Sequence, residues 1–145
     1  MSIADRFNRP MYEAATRNSE RYQEYYMIMN QWLIAKQSDC SVVDFFHDRG
    51  YRNIAIYGLT ELGNRLYDEL RDSDVNVVCA VDAGLFTCPY PELKLFRLSD
   101  FELSDESKEI DAIIVTPTFA FDSIKNQLSE YISADIIAIW SILDI

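Results

Sequence analysis

The run Asn53-Ile-Ala-Ile-Tyr-Gly58-Leu-Thr-Glu-Leu-Gly63-Asn-Arg-Leu-Tyr-Asp-Glu-Leu70 constrains this chain more than any other stretch. An apolar segment ends at Gly58, and a helical pattern starts within a few residues. Leu62, Leu66 and Leu70 recur at every fourth position, which places them on one face of a helix. Strand, glycine turn and helix together form the opening unit of the α/β folds that hold nucleotides at their first turn.

The rest of the chain repeats that alternation. Val75–Val81 reads as a second strand, closed by Asp82-Ala83-Gly84. Leu93–Leu98 reads as a short third strand, and an acidic loop follows through Glu109. Asp111–Val115 is almost wholly apolar, the pattern of a strand buried on both faces. A turn at Thr116-Pro117-Thr118 leads to a helix whose apolar face is Phe121, Ile124, Leu128, Tyr131 and Ile132. Ile136–Trp140 reads as the last strand. Strict alternation predicts an α/β fold: a Rossmann-like parallel sheet of about five strands in the order 3-2-1-4-5, joined by right-handed crossovers. Asn53–Tyr57 and the strand ending at Val115 should be central.

Upstream, Pro10 to Lys36 reads as one long helix of about 40 Å at ~1.5 Å per residue. Its expected apolar stripe is Tyr22, Tyr25, Tyr26, Met29, Trp32 and Leu33, extended by Met11 and Ala15, with Glu13, Arg17, Glu20 and Glu24 opposite. Ser41 can cap a short helix from Val42 to about Asp48 that stops at Gly50. The expected division is a helical arm over 1–39 and a Rossmann-like domain over 40–145. A helix this long overhangs a small sheet, so part of its stripe is expected to pair with a second copy as a homodimer.

In a dinucleotide-binding turn the first glycine permits the sharp bend, the second admits the pyrophosphate, and the third lets helix and strand pack closely. Gly58 and Gly63 supply the first and third, but Thr60 stands in the second position. Thr60 is a good N-cap type, and Glu61 places a negative charge where a helix dipole favours an anion. The chain's own groups would then fill much of the anion site formed by Thr60, Glu61, Leu62 and Gly63, and nucleotide affinity should be weak. Asp82 ends the next strand at close to the spacing of about 20 residues at which an acid holds a ribose hydroxyl. Thr116 and Pro117 end the other central strand and should face Gly58 across the switch point.

Charge and residue counts narrow the function. A net charge of -11 opposes nucleic acid and anionic lipid as partners. No apolar run reaches the ~20 residues of a membrane span, and the first ten residues carry no signal-peptide core. Cys40, Cys79 and Cys88 form neither a disulfide framework nor a structural zinc pattern. We therefore expect a reduced, cytoplasmic protein without a metal. His47 is the only histidine in the chain, which excludes a multi-histidine site.

Ile54-Ala-Ile-Tyr-Gly58, Glu61-Leu-Gly63, Arg65-Leu-Tyr67, Val81-Asp82, Asp111-Ala-Ile-Ile-Val-Thr-Pro117 and Phe121-Asp122-Ser-Ile124 resemble small Rossmann-like domains associated with bacterial surface-polysaccharide synthesis. Trp32 and the approach Gly50-Tyr51-Arg52-Asn53 extend the resemblance upstream, so that it runs from about Trp32 to the C-terminus. It implies a pocket of Gly58, Gly63 and Asp82 with Thr116 and Pro117 opposite, NAD(P) or a nucleotide sugar as ligand, and a polysaccharide-pathway enzyme as partner. The Tyr-x-x-x-Lys pair that sugar epimerases and short-chain dehydrogenases use is expected to be absent from the chain. The reading is a non-catalytic, weakly nucleotide-binding module. The alternatives are a dimeric scaffold with a vestigial pocket and a nucleotide-sugar-modifying enzyme.

Overall fold

A computed structural model of the chain describes residues 19–84 and 87–144. The expected start of the long helix at Pro10, with Met11, Glu13, Ala15 and Arg17, lies outside those residues. In chain order the elements are α1 (Ser19–Gln37), α2 (Val42–Arg49), β1 (Asn53–Tyr57), α3 (Glu61–Leu70), β2 (Asn76–Val81), β3 (Leu95–Phe96), α4 (Leu98–Glu102), α5 (Glu106–Glu109) and β4 (Ala112–Val115). A 3-10 turn (Thr118–Ala120), α6 (Phe121–Leu128), β5 (Asp135–Ala138) and α7 (Ile139–Ile142) complete the chain. The five strands form one parallel sheet in the order β3-β2-β1-β4-β5, as the alternation predicts.

Side chains that alternate along the central strands divide the core into two layers. Ile54, Ile56, Ala112 and Ile114 face α1, α2, α3 and α7, where Ile28, Trp32, Phe46, Leu62, Leu66, Leu70 and Ile139 pack on them. Ala55, Ile113 and Val115 face α4 and α6, against Phe101, Ile124 and Leu128. Both faces of β4 are covered, which is why its sequence is apolar without a break. Ser41 caps α2 by accepting the Val43 N–H at 3.1 Å, and the helix closes on Gly50 in the left-handed conformation.

Several boundaries differ from the sequence reading, each for a packing reason. The third strand shrinks to Leu95–Phe96, because Leu93 turns into the core and Leu98 already starts a helix. The acidic loop contains two short helices, pinned by the fully buried Phe101. The last strand stops at Ala138, where its partner β4 ends at Val115. Ile139 and Ile142 then wind into a helical turn that returns both to the core. Tyr131 lies beyond α6 and is exposed rather than part of its apolar face.

The stripe of α1 is rotated relative to the expected one. Ile28 and Trp32 are buried and Tyr25 and Met29 partly so, while Tyr26 and Leu33 face outward, 69% and 54% exposed. The Trp32 indole fixes this orientation by donating from Nε1 to Glu69 Oε1 at 2.8 Å, beside the Lys36 ammonium at 2.9 Å from the same oxygen. The inward stripe thus follows positions 21, 25, 28 and 32, a helical spacing that carries Arg21 to the same face.

At the opposite end of the sheet, Asp111 accepts the N–H groups of Arg52 and Asn53 at 2.8 and 2.9 Å. Those two bonds hold its carboxyl below the usual range, and they seat the entry of β1 beside β4. A depressed folded-state pKa contributes stability that is present above the unfolded value of about 3.9 and is lost as pH falls through the lower folded value. Asp111→Asn should therefore lower stability at pH 7 and show a shallower further loss below about pH 4, read from urea unfolding at a series of pH values. Gly63→Ala should destabilise by about 3 kcal/mol in the same assay. A Cβ at position 63 would stand 2.0 Å from the Gly58 carbonyl oxygen, so strand and helix would have to separate.

Candidate functional site

The C-terminal ends of β1 and β4 meet where the chain reverses its order across the sheet, the place where ligands bind in open α/β folds. β1 delivers Tyr57 and Gly58 to this edge. Gly58 has φ of +90°, a conformation that L side chains rarely adopt, and its amide donates to the Val81 carbonyl at 2.8 Å. A Cβ on Gly58 would meet Thr116 Oγ1 at 2.5 Å and Pro117 Cδ at 2.9 Å. The first and third glycines therefore meet the steric demands expected of them.

The crevice above this turn has a volume of about 320 Å³. Gly58, Thr60, Glu61, Asp82 and Pro117 line it, together with Arg21, Tyr22 and Tyr25 from α1, Tyr57, Ala83 and Phe119. Leu62 and Gly63 are buried beneath it as packing residues. Thr116 is also buried, and its hydroxyl lies 2.7 Å from the Gly58 carbonyl, to which it donates. It braces the turn from within. A cavity of about 520 Å³ lies beside His47 and Asp74 at the other end of the sheet. It is the larger of the two but sits at the end of a parallel sheet where ligands are not usually held. There His47 Nε2 and Asp74 Oδ1 are 2.6 Å apart on the exposed surface.

The electrostatics of the turn differ from the sequence reading in one respect. Among the described residues, the Thr60 hydroxyl caps no helical N–H, although Thr60 occupies the N-cap position. Its backbone, at φ -108° and ψ -143°, is not the conformation that aims a capping hydroxyl along the helix. Asp82 ties down the turn instead. Its Oδ2 accepts the Leu59 N–H at 2.8 Å, and its Oδ1 accepts the Gly84 N–H at 2.8 Å. Each carboxylate oxygen has a second lone pair, so Asp82 still has acceptor capacity toward the crevice. Burial, followed by the Glu61 charge, raises the pKa of Tyr25, and burial with the Asp82 charge raises that of Tyr57. Both phenols line the crevice as neutral donor–acceptor groups.

The sequence reading did not include Arg21, Tyr22, Tyr25 or Phe119 in the site. The spacing of Arg21, Tyr25, Ile28 and Trp32 was the available signal, since it is that of one helical face. A Tyr-x-x-x-Lys spacing does occur, at Tyr90 and Lys94, which corrects the expectation that the chain lacks one. The two residues lie in a loop and so do not share a helix face. The Tyr90 hydroxyl turns toward Asp68 at 3.4 Å, and Lys94 Nζ binds Glu106 at 2.7 Å. Neither residue lines the crevice. Cys79 is buried in β2, and desolvation pushes its thiol up to about 12, which suits a small core residue rather than a nucleophile. Among the described residues, no group of three or more His, Cys, Asp or Glu side chains is placed to hold a metal ion, and no helix is long and apolar enough to cross a membrane.

Compared with known proteins, the chain matches no family model, and neither a curated protein nor a solved structure matches it significantly.

Two substitutions separate the roles of Asp82 and Thr60. Asp82→Ala should cost about 1–3 kcal/mol, because the partly buried Leu59 N–H loses its acceptor. Thr60→Ala should cost less than the ~1 kcal/mol typical of a lost cap. Urea unfolding of the two variants checks both.

Proposed function

We propose that the chain is a non-catalytic nucleotide-binding module of the Rossmann-like kind, binding weakly and serving a bacterial surface-polysaccharide pathway from the cytoplasm. The observation that carries this reading is the crevice at the switch point, floored by Gly58 and flanked by Asp82. Its volume lies at the small end of the roughly 300–1,000 Å³ range of ligand pockets, which favours a mononucleotide or the nucleotide part of a nucleotide sugar over a whole NAD(P). Weakness follows from Thr60 and Glu61, which occupy the wall where a pyrophosphate would meet the helix N-terminus. The pathway assignment and an enzyme of that pathway as partner rest on the motif resemblance alone.

Thermal unfolding with NAD, NADP, UDP-glucose and UDP tests the reading. A ligand at about 100 times its Kd should stabilise the protein by about 2.7 kcal/mol. Thr60→Gly combined with Glu61→Gln should increase the shift at a fixed ligand concentration. If no nucleotide shifts the transition at millimolar concentration, the reading fails.

A homodimer through α1 is a second element of the proposal, favoured by one observation. Tyr26, Met27, Leu33 and Ile34 share the outward arc of α1 and are 46% to 69% exposed. Such an apolar arc, with an aromatic and a methionine, has the composition of an interface core. Light scattering at micromolar concentration should give twice the 16.8 kDa chain mass. Met27→Glu with Leu33→Glu should return the protein to that of the single chain.

A further inference from the structure

We infer that Arg21 is the anion-recognition residue of the crevice: it takes the phosphate of a bound nucleotide from the side of α1, in place of the backbone N–H groups of the glycine turn. The inference rests on the nucleotide reading above and deepens it.

Four observations converge on Arg21. Among the described residues it is the first member of the inward stripe, whose later members Ile28 and Trp32 are buried in the core. An arginine on an inward face gives up part of its hydration, which favours a partner of opposite charge. Its guanidinium lies 3.7 Å from the centre of the Phe119 ring, close enough for the ring to fix its plane. Stacking of that kind leaves the in-plane N–H donors directed sideways, where a phosphate can be gripped by two of them. Glu24, one turn further along the helix, is engaged elsewhere, because its Oε2 accepts the Thr118 hydroxyl at 2.5 Å. These two contacts clasp α1 to the 3-10 turn after β4, so the guanidinium is positioned by packing rather than by a flexible stem.

The third observation is what Arg21 lacks. Among the described residues, no carboxylate stands within ion-pair distance of its guanidinium. Arg65, Arg71, Lys36 and Lys94 each have one. In a chain with net charge -11, an inward-facing arginine beside a cavity with no acidic partner is poised for an anion that the protein does not itself provide. The fourth is the turn, where Glu61 and Asp82 both put negative charge on the glycine side of the crevice. A phosphate that entered would be repelled by those carboxylates and drawn to the Arg21 guanidinium. The uncharged nucleoside would then lie toward Gly58, with its ribose hydroxyls within reach of Asp82.

Calorimetry on the full chain tests this with UDP, ADP, uridine, adenosine and inorganic pyrophosphate as probes. The proteins are the unaltered chain, Arg21→Gln, Arg21→Lys and Glu61→Gln. Arg21→Gln should weaken a nucleoside diphosphate at least about tenfold and leave the nucleosides unchanged, and Arg21→Lys should restore part of the loss. Glu61→Gln should strengthen the diphosphates. Unchanged thermal unfolding of the unliganded variants shows that they are folded. Equal diphosphate affinity in the unaltered chain and Arg21→Gln overturns the role of Arg21 and leaves the nucleotide reading standing. Pyrophosphate binding that depends on Arg21, with no gain from a nucleoside, keeps that role and overturns the nucleotide reading. If none of the five probes binds, both fail.

Discussion

The approach of Gly63 to the carbonyl oxygen of Gly58 is the contact on which the other features of this fold depend. With a hydrogen in place of a side chain, α3 can lie against the end of β1, and a Cβ would stand only 2.0 Å from that oxygen. The close approach brings Leu62, Leu66 and Leu70 down onto Ile54 and Ile56. Burial of each such side chain contributes roughly 1.5–3 kcal/mol relative to exposure, so one glycine position governs a large part of one core layer. It also sets the height of the turn above the sheet, and hence the shape of the crevice.

The crevice has a divided electrostatic character. Acidic groups and a threonine occupy the glycine-turn wall, which in dinucleotide-binding proteins is left open for a pyrophosphate. Among the described residues, the one arginine lining it is Arg21 of α1. Asp82, whose type and position suit ribose recognition, also acts as a structural clamp through the Leu59 and Gly84 amides. One carboxylate can do both, since each oxygen accepts more than one hydrogen bond. Loss of Asp82 would then affect the turn and any ligand together, whereas loss of Arg21 removes, among the described residues, its stacking on Phe119 and its charge beside Tyr25.

α1 belongs to the domain's architecture as well as to its site. Ile28 and Trp32 join the same core layer as α2, α3 and α7, and the Trp32–Glu69 hydrogen bond ties the helix to α3. Its inward face runs from that core to the crevice without a break, from Trp32 through Ile28 and Tyr25 to Arg21. A change in how α1 sits on the sheet would therefore move three lining residues at once.

The sequence by itself determined the sheet. Apolar runs bounded by turn residues, alternating with four-residue helical spacing, allow few arrangements once crossovers are right-handed and the most apolar strands lie centrally. The order 3-2-1-4-5, the roles of Gly58 and Gly63, and the capped helix after Ser41 all follow from local patterns of that kind. Other features depended on contacts between distant residues. Whether Tyr26 or Ile28 faces inward is not fixed by periodicity when both sides of a helix carry large apolar groups, and the bond from Trp32 to Glu69 helps settle it. The end of β5 was set by the length of its partner β4. Asp82 engages the turn although Thr60 is the local capping candidate, because only the folded sheet brings the end of β2 beside Leu59. Arg21 reached the crevice for the same reason: its place on a helix was legible, but what that face would lie against was decided by tertiary packing.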